Sequence, residues 1–244
     1  MAGALVLALV AGVVAVIDVL AGPSPADRSG GQGARSTSRA AALTGDAATP
    51  IPLSGLGPRT RGAIPRESTQ VLVVTGDGAK GTASTIQLFR RSGSGWAAGP
   101  VWHGHNGAHG WTDDHREGDL RTPVGVFTLS DAGGRKKDPG AKLPYHRSEA
   151  FRPAGGGVYG DSLAGSFDYV IAIDYNRRPG TSPLDPTRPE GAERGGGIWL
   201  HVDHEGPTHG CISVPAAGMK ALLRELDPAR RPVVVMGDRD RLSA

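Results

Sequence analysis

The chain has 244 residues, enough for one domain with tails or two small domains, and 38% apolar residues with which to build a core. Its net charge of +3 comes from scattered Lys and Arg without interleaved aromatics, which argues against a nucleic-acid partner. The 38 Gly and 19 Pro point to a loop-rich β fold, and the single cysteine, Cys211, rules out an internal disulfide.

In chain order, Ala4 to Ile17 is an unbroken apolar run that Asp18 ends. It is short for a membrane span and fits the apolar region of a signal peptide better, although no Lys or Arg precedes it. Residues 1–21 are therefore expected to be a signal peptide or a membrane anchor, and the chain to be exported to the cell envelope. Residues 22–67 are rich in Ala, Gly, Ser, Thr and Pro, lack aromatics and show no sustained period. Such a segment cannot bury enough apolar surface to offset its ordering entropy, and a disordered linker is expected.

The folded domain is expected over 68–240. QVLVVT (70–75), STIQLFR (84–90), Trp96–His103, VGVFTL (124–129), DYVIAIDY (168–175), GIWLHV (197–202) and PVVVM (232–236) read as strands bounded by Gly/Pro turns. One helix is expected after Ser213, its N-cap, because Met219, Leu222, Leu223 and Leu226 follow helical spacing and Asp227-Pro228 stops it. The fold class predicted is mainly β, a sandwich or barrel with one C-terminal amphipathic helix. The turn-rich stretches 133–143 and 177–197 read as surface loops, and Trp102 and Trp111 as core anchors or groove residues.

The segment IWLHVDHEGPTHGCISVP (198–215) carries the chemistry. A thiol nucleophile needs a base oriented by a third group, and backbone N–H groups for an oxyanion. A strand–turn–strand hairpin would bring His201 beside Cys211, Gly210 would allow close approach, and the amides of Gly210 and Cys211 could face a carbonyl. Imidazolium and the following helix N-terminus would lower the thiol pKa.

This segment resembles the signature of the YkuD-type L,D-transpeptidases: a histidine after an apolar strand, here His201, then Thr208-His209-Gly210-Cys211. Glu117-Gly118-Asp119, followed by Thr122-Pro123-Val124-Gly125-Val126-Phe127, resembles the family's upstream segment. The resemblance covers roughly Gln70 to Asp238. It implies a β-sandwich-like catalytic domain in which Cys211 is the nucleophile and His201 the base, oriented by the carbonyl of Val202. His209 and Gly210 join the catalytic set, and Thr208, Trp199 and Ser213 contact substrate. The implied substrates are peptidoglycan stem peptides as donor and acceptor, without cofactor or metal, handled by a monomer that meets a membrane only through its N-terminal segment. This chain departs from the pattern in its short spacer before Thr208, in Ser213 two after the cysteine, and in Val202.

Other readings use the same residues. Water as acceptor would make the protein an L,D-carboxypeptidase. His201, His204, His209 and Cys211, or His103, His105, His109 and His115, could instead bind zinc for a peptidase. Glu117 and Asp119 could act as a carboxylate pair, and an inactive wall-binding module would need no nucleophile.

Overall fold

A computed structural model describes residues 51–244; the expected signal or anchor segment, and the linker as far as residue 50, lie outside the described residues. Among these described residues twelve strands, three short α-helices and two single-turn 3-10 helices follow in order. Strands β1 (Gln70–Gly76), β2 (Ala83–Ser92) and β3 (Gly95–His105) are succeeded by the two-residue β4 (Trp111–Thr112) and β5 (Thr122–Pro123). Then come β6 (Gly125–Thr128), β7 (Ala132–Gly134), β8 (Tyr145–Arg147), β9 (Val170–Ala172), β10 (Trp199–Val202), β11 (Ile212–Val214) and β12 (Val233–Asp238). Two five-stranded sheets, ordered β3-β2-β1-β12-β6 and β11-β10-β9-β7-β8, form a sandwich-like arrangement.

The inner strands β1 and β12 of the first sheet are buried on both faces, which explains why QVLVVT and PVVVM read as continuous apolar runs rather than alternating ones. Leu72, Val74, Ile86, Leu88, Val234 and Met236 face a core shared with Ile171, Leu200, Ile212 and Val214 of the second sheet. Helix α2 (Ala216–Glu225) adds Met219, Leu222 and Leu223 to that core, with Leu226 just beyond its end. The opposite face carries Val71, Val73, Phe89, Trp96, Val233 and Val235.

That second face corrects the expected domain boundary. Leu53 and Leu56 are buried against it, Ile51 pairs with Trp96, and helix α1 (Pro58–Ala63) follows. Residues 51–67 therefore belong to the folded unit and not to a free linker. At the other end, helix α3 (Arg239–Leu242) buries Leu242 on the same face, so the fold also passes 240. Isolated leucines in a polar stretch have no period of their own; only the bare face of β1 and β12 gives them a partner. Leu56→Ala is expected to cost about 2–4 kcal/mol, read from a urea unfolding midpoint. An unchanged midpoint would show that this segment stands outside the cooperative unit.

The expected strand over 168–175 is shorter, Val170–Ala172, because the chain then turns to bond other partners: Ile173 N–H reaches Ile198 O and Asp174 N–H reaches Thr128 O. Ser213 is not a helix cap. Strand β11 stays in register with β10 as far as Val214, so the helix starts only after Pro215.

Candidate active site

Strand β10 lies second from the edge of its sheet, antiparallel to β9 and parallel to the edge strand β11, with Leu200 opposite both Ile171 and Ile212. Side chains alternate along a strand. With Leu200 committed to the core, Trp199 and His201 project from the other face, where their rings meet Phe167 edge-on at 5.2 and 5.4 Å. Trp199 also packs on Phe151 at 5.8 Å.

Cys211 immediately precedes β11, so the register places it opposite Trp199 and one diagonal step from His201. This is a parallel pairing, not the expected hairpin. The returning segment Asp203–Cys211 is short for a parallel connection. It is held by backbone bonds from Asp203 N–H to Val214 O and from Thr208 N–H to Asn106 O, each 2.9 Å.

The Gly210–Cys211 turn is braced from inside. Thr208, buried, donates its hydroxyl to Cys211 O at 2.6 Å and accepts from Gly210 N–H at 3.1 Å. Both functions of that hydroxyl are engaged in the turn, which makes Thr208 a brace rather than a surface for substrate. Gly210 N–H is likewise engaged in the resting turn. Gly210 has φ +136°, and a Cβ there would lie 2.8 Å from Arg121 O and 3.6 Å from a carbon of the His115 ring. Gly210→Ala is therefore expected to displace the nucleophile and slow its acylation by about 10²-fold, since a misplacement near 1 Å has that effect. Pre-steady-state adduct formation measures it, and a wild-type rate would show that the turn tolerates the side chain.

The Glu117–Phe127 motif explains what this turn rests on. Asp119 accepts from Arg121 N–H (2.8 Å) and Arg116 N–H (2.9 Å), and lies 2.9 Å from Nδ1 of buried His115. Thr122 accepts from Gly107 N–H at 2.8 Å, and Gly107 pairs with Thr208. The two motifs thus form one structure, the second beneath the first. Asp119, with its oxygens so occupied, organises a loop and is no partner for Glu117 in carboxylate chemistry. His115, which the sequence offers only as a possible zinc ligand, is instead buried behind Gly210.

Ser213 is also removed from any groove. It is fully buried, accepts from His105 N–H at 2.9 Å and donates to Asp203, which also bonds the His105 ring at 2.8 Å. His209 is exposed beside the nucleophile turn. The remaining histidines diverge: His103 is exposed, His109 reaches Asp119 O, and His204 turns to Asp161. Among the described residues no group of three or more His, Cys, Asp or Glu is gathered as a metal would require. The surface clefts of about 430 Å³ beside Trp96 and 340 Å³ beside Arg241 include no residue of this site.

His201 Nδ1 lies 2.9 Å from Val202 O. A carbonyl only accepts, so Nδ1 carries the proton and Nε2 is the free basic nitrogen. Burial pushes this imidazole down from 6.5 to about 4, against the opposing Val202 bond, so it rests neutral. Cys211 keeps part of its surface open, but surrounding protein desolvates the thiol and pushes it up to about 11; the Trp199 N–H, 3.4 Å away, offsets only part of this. That reverses the expected lowering. The helix begins beyond β11, and the neutral histidine supplies no positive charge. The thiol itself points to Gly197 O at 3.6 Å. The resting site is a neutral thiol beside a neutral base, which suits proton transfer at the moment of attack.

Two comparisons bear on this geometry. No curated protein matches the chain. A family model described as the L,D-transpeptidase catalytic domain, YkuD, matches residues 73–235, a span running from β1 to β12 and enclosing both motifs. The chain belongs to the YkuD family of L,D-transpeptidase catalytic domains.

Proposed function

We propose that the protein is a cysteine acyltransferase that cross-links peptidoglycan stem peptides through a thioester on Cys211. One observation carries the reading. His201 is fixed by Val202 O with its basic nitrogen free, one step across the ladder from the only thiol in the chain.

The thiol leaves Gly197 O by rotation about χ1 and gives its proton to His201 Nε2 as sulfur attacks the donor carbonyl. Backbone amides of the Gly210–Cys211 turn hold the oxyanion, with Gly210 N–H exchanging Thr208 for the developing charge. The C–N bond then breaks, the leaving D-amino acid takes the proton from His201, and the thioester remains. An amine of a second stem attacks it, loses a proton to His201 and releases the thiol. Water in the same role would give L,D-carboxypeptidase chemistry. Trp199 walls the groove beside the thiol, and exposed His209 stands at its mouth. Because such substrates lie outside the cytoplasm, the proposal includes export through residues 1–21, after which the protein acts as a monomer.

Intact mass spectrometry after incubation with a carbapenem tests the reading. A single covalent adduct mapping to the Cys211 peptide is expected. No adduct, together with stem-peptide turnover abolished by a chelator, would overturn it in favour of a metal site. Product analysis on purified muropeptides separates cross-links from trimmed stems.

A further inference from the structure

His204 is not part of the motif that defines the site, yet its ring lies parallel to that of His201, at 9° and 5.8 Å between centroids. Its side chain is only 3% exposed, and Nδ1 sits 2.8 Å from Asp161 Oδ2. Asp161 belongs to a stretch without regular structure between β8 and β9. That stretch is shaped to deliver the carboxylate. Gly157 N–H bonds Asp161 O at 2.8 Å, Gly160 N–H bonds Gly157 O at 2.9 Å, and a Cβ on Gly157 would lie 2.2 Å from the Asp161 oxygens. Farther along, Ser166 O accepts from Val202 N–H at 2.9 Å and Phe167 packs on His201. One loop therefore grips the base at two places, through Phe167 directly and through Asp161 by way of His204.

We propose that His204 is a positioning residue for His201, its ring backing the base while its hydrogen bond to Asp161 fastens the Gly155–Gly165 loop beside the site. The inference rests on His201 being the base. The ring keeps water from one face of the imidazole and fixes its plane, which Val202 O fixes in only one direction. The titratable groups around His204 are His201 on β10, Asp161 on the loop, and Asp203 and Glu205 on its own segment. Asp203 is engaged by His105 and Ser213. Burial chiefly, and His204 in addition, oppose protonation of His201. Removing the second imidazole should therefore move the base's titration upward.

The test uses the full chain, a carbapenem as acylating probe, and adduct formation followed from about pH 3 to 8, a range that spans the wild-type limb expected near 4. His204→Gln keeps an amide donor for Asp161 but cannot take up a proton; its acidic limb is expected to move up by roughly half a unit. His204→Phe keeps the stack, loses the bond to Asp161, and should show the same shift together with faster proteolysis within 155–165. Asp161→Ala should free that loop and slow acylation about tenfold, the scale of a lost supporting contact to a functional group. Wild-type limbs in both His204 variants, on protein that melts as wild type does, would overturn the proposal. The underlying reading fails differently: the wild-type protein itself would form no adduct.

Discussion

Cys211→Ala is expected to abolish the carbapenem adduct and to lower stem-peptide turnover by at least about 10³-fold, the scale on which removal of a nucleophile acts. The reason is the absence of a substitute. The chain has one thiol, and its turn is the meeting point of both motifs. The fold should survive. The thiol's contacts are long ones, 3.4 Å from Trp199 N–H and 3.6 Å to Gly197 O, and weak enough that their loss changes stability by about 1 kcal/mol or less. Cys211→Ser is the stricter comparison. It keeps a hydroxyl in place but offers a far less acidic nucleophile, so residual turnover above the alanine level would mark attack assisted by His201. The raised thiol adds a pH signature. Burial lifts Cys211 to about 11, so alkylation by iodoacetamide in the absence of substrate should keep rising well beyond pH 9. A plateau near neutral pH would mean that the site rests as a thiolate–imidazolium pair, against the neutral pair described above.

Much of this is legible in the sequence, for identifiable reasons. The central strands carry unmistakable apolar runs, and the fixed spacing of Thr208-His209-Gly210-Cys211 and Glu117–Phe127 records local demands on the backbone: a glycine where φ is positive, hydroxyls where turns need bracing. Val202 as the orienting carbonyl is what the family resemblance implies, and His201 Nδ1 meets it at 2.9 Å. What sequence left open depends on pairings across the chain. Whether β10 and β11 run parallel or as a hairpin is decided by where the returning segment bonds, at Val214 beyond the cysteine and at Asn106, which lies in neither motif. Ser213 reads as an N-cap because Ser caps helices well, but its hydroxyl is claimed by Asp203 and His105, an interaction across more than a hundred positions to the latter. The family resemblance sets Thr208 against substrate, whereas its two hydrogen bonds turn inward. Leu53 and Leu56 become core residues only once both faces of the first sheet are known to need cover. The thiol's acidity departs from the sequence expectation for a related reason: burial is a property of the assembled fold, and here it outweighs the nearby polar groups.

His201→Gln is the complementary experiment, and pH makes it specific. At pH 7 the loss of a general base is expected to slow acylation by about 10²–10⁴-fold. The variant should also change how stability responds to acid. Burial holds the folded-state imidazole at about 4, below its unfolded value near 6.5. Between these values the unfolded chain binds more protons than the folded one, so this contribution to stability is fully present above pH 6.5 and is lost as pH falls toward 4. The difference corresponds to about 3 kcal/mol. Glutamine cannot titrate, so the variant should lose that much less stability between pH 7 and 4, as read from urea midpoints at both values. The same depression carries a kinetic consequence for the wild type. Its base stays neutral and competent well below pH 6.5, so the acidic limb of acylation should fall nearer pH 4 than the ordinary histidine value. Were the limb to sit at 6.5, with equal acid sensitivity in both proteins, the buried neutral imidazole would not be the group that takes the proton, and exposed His209 on the nucleophile turn would become the base to test.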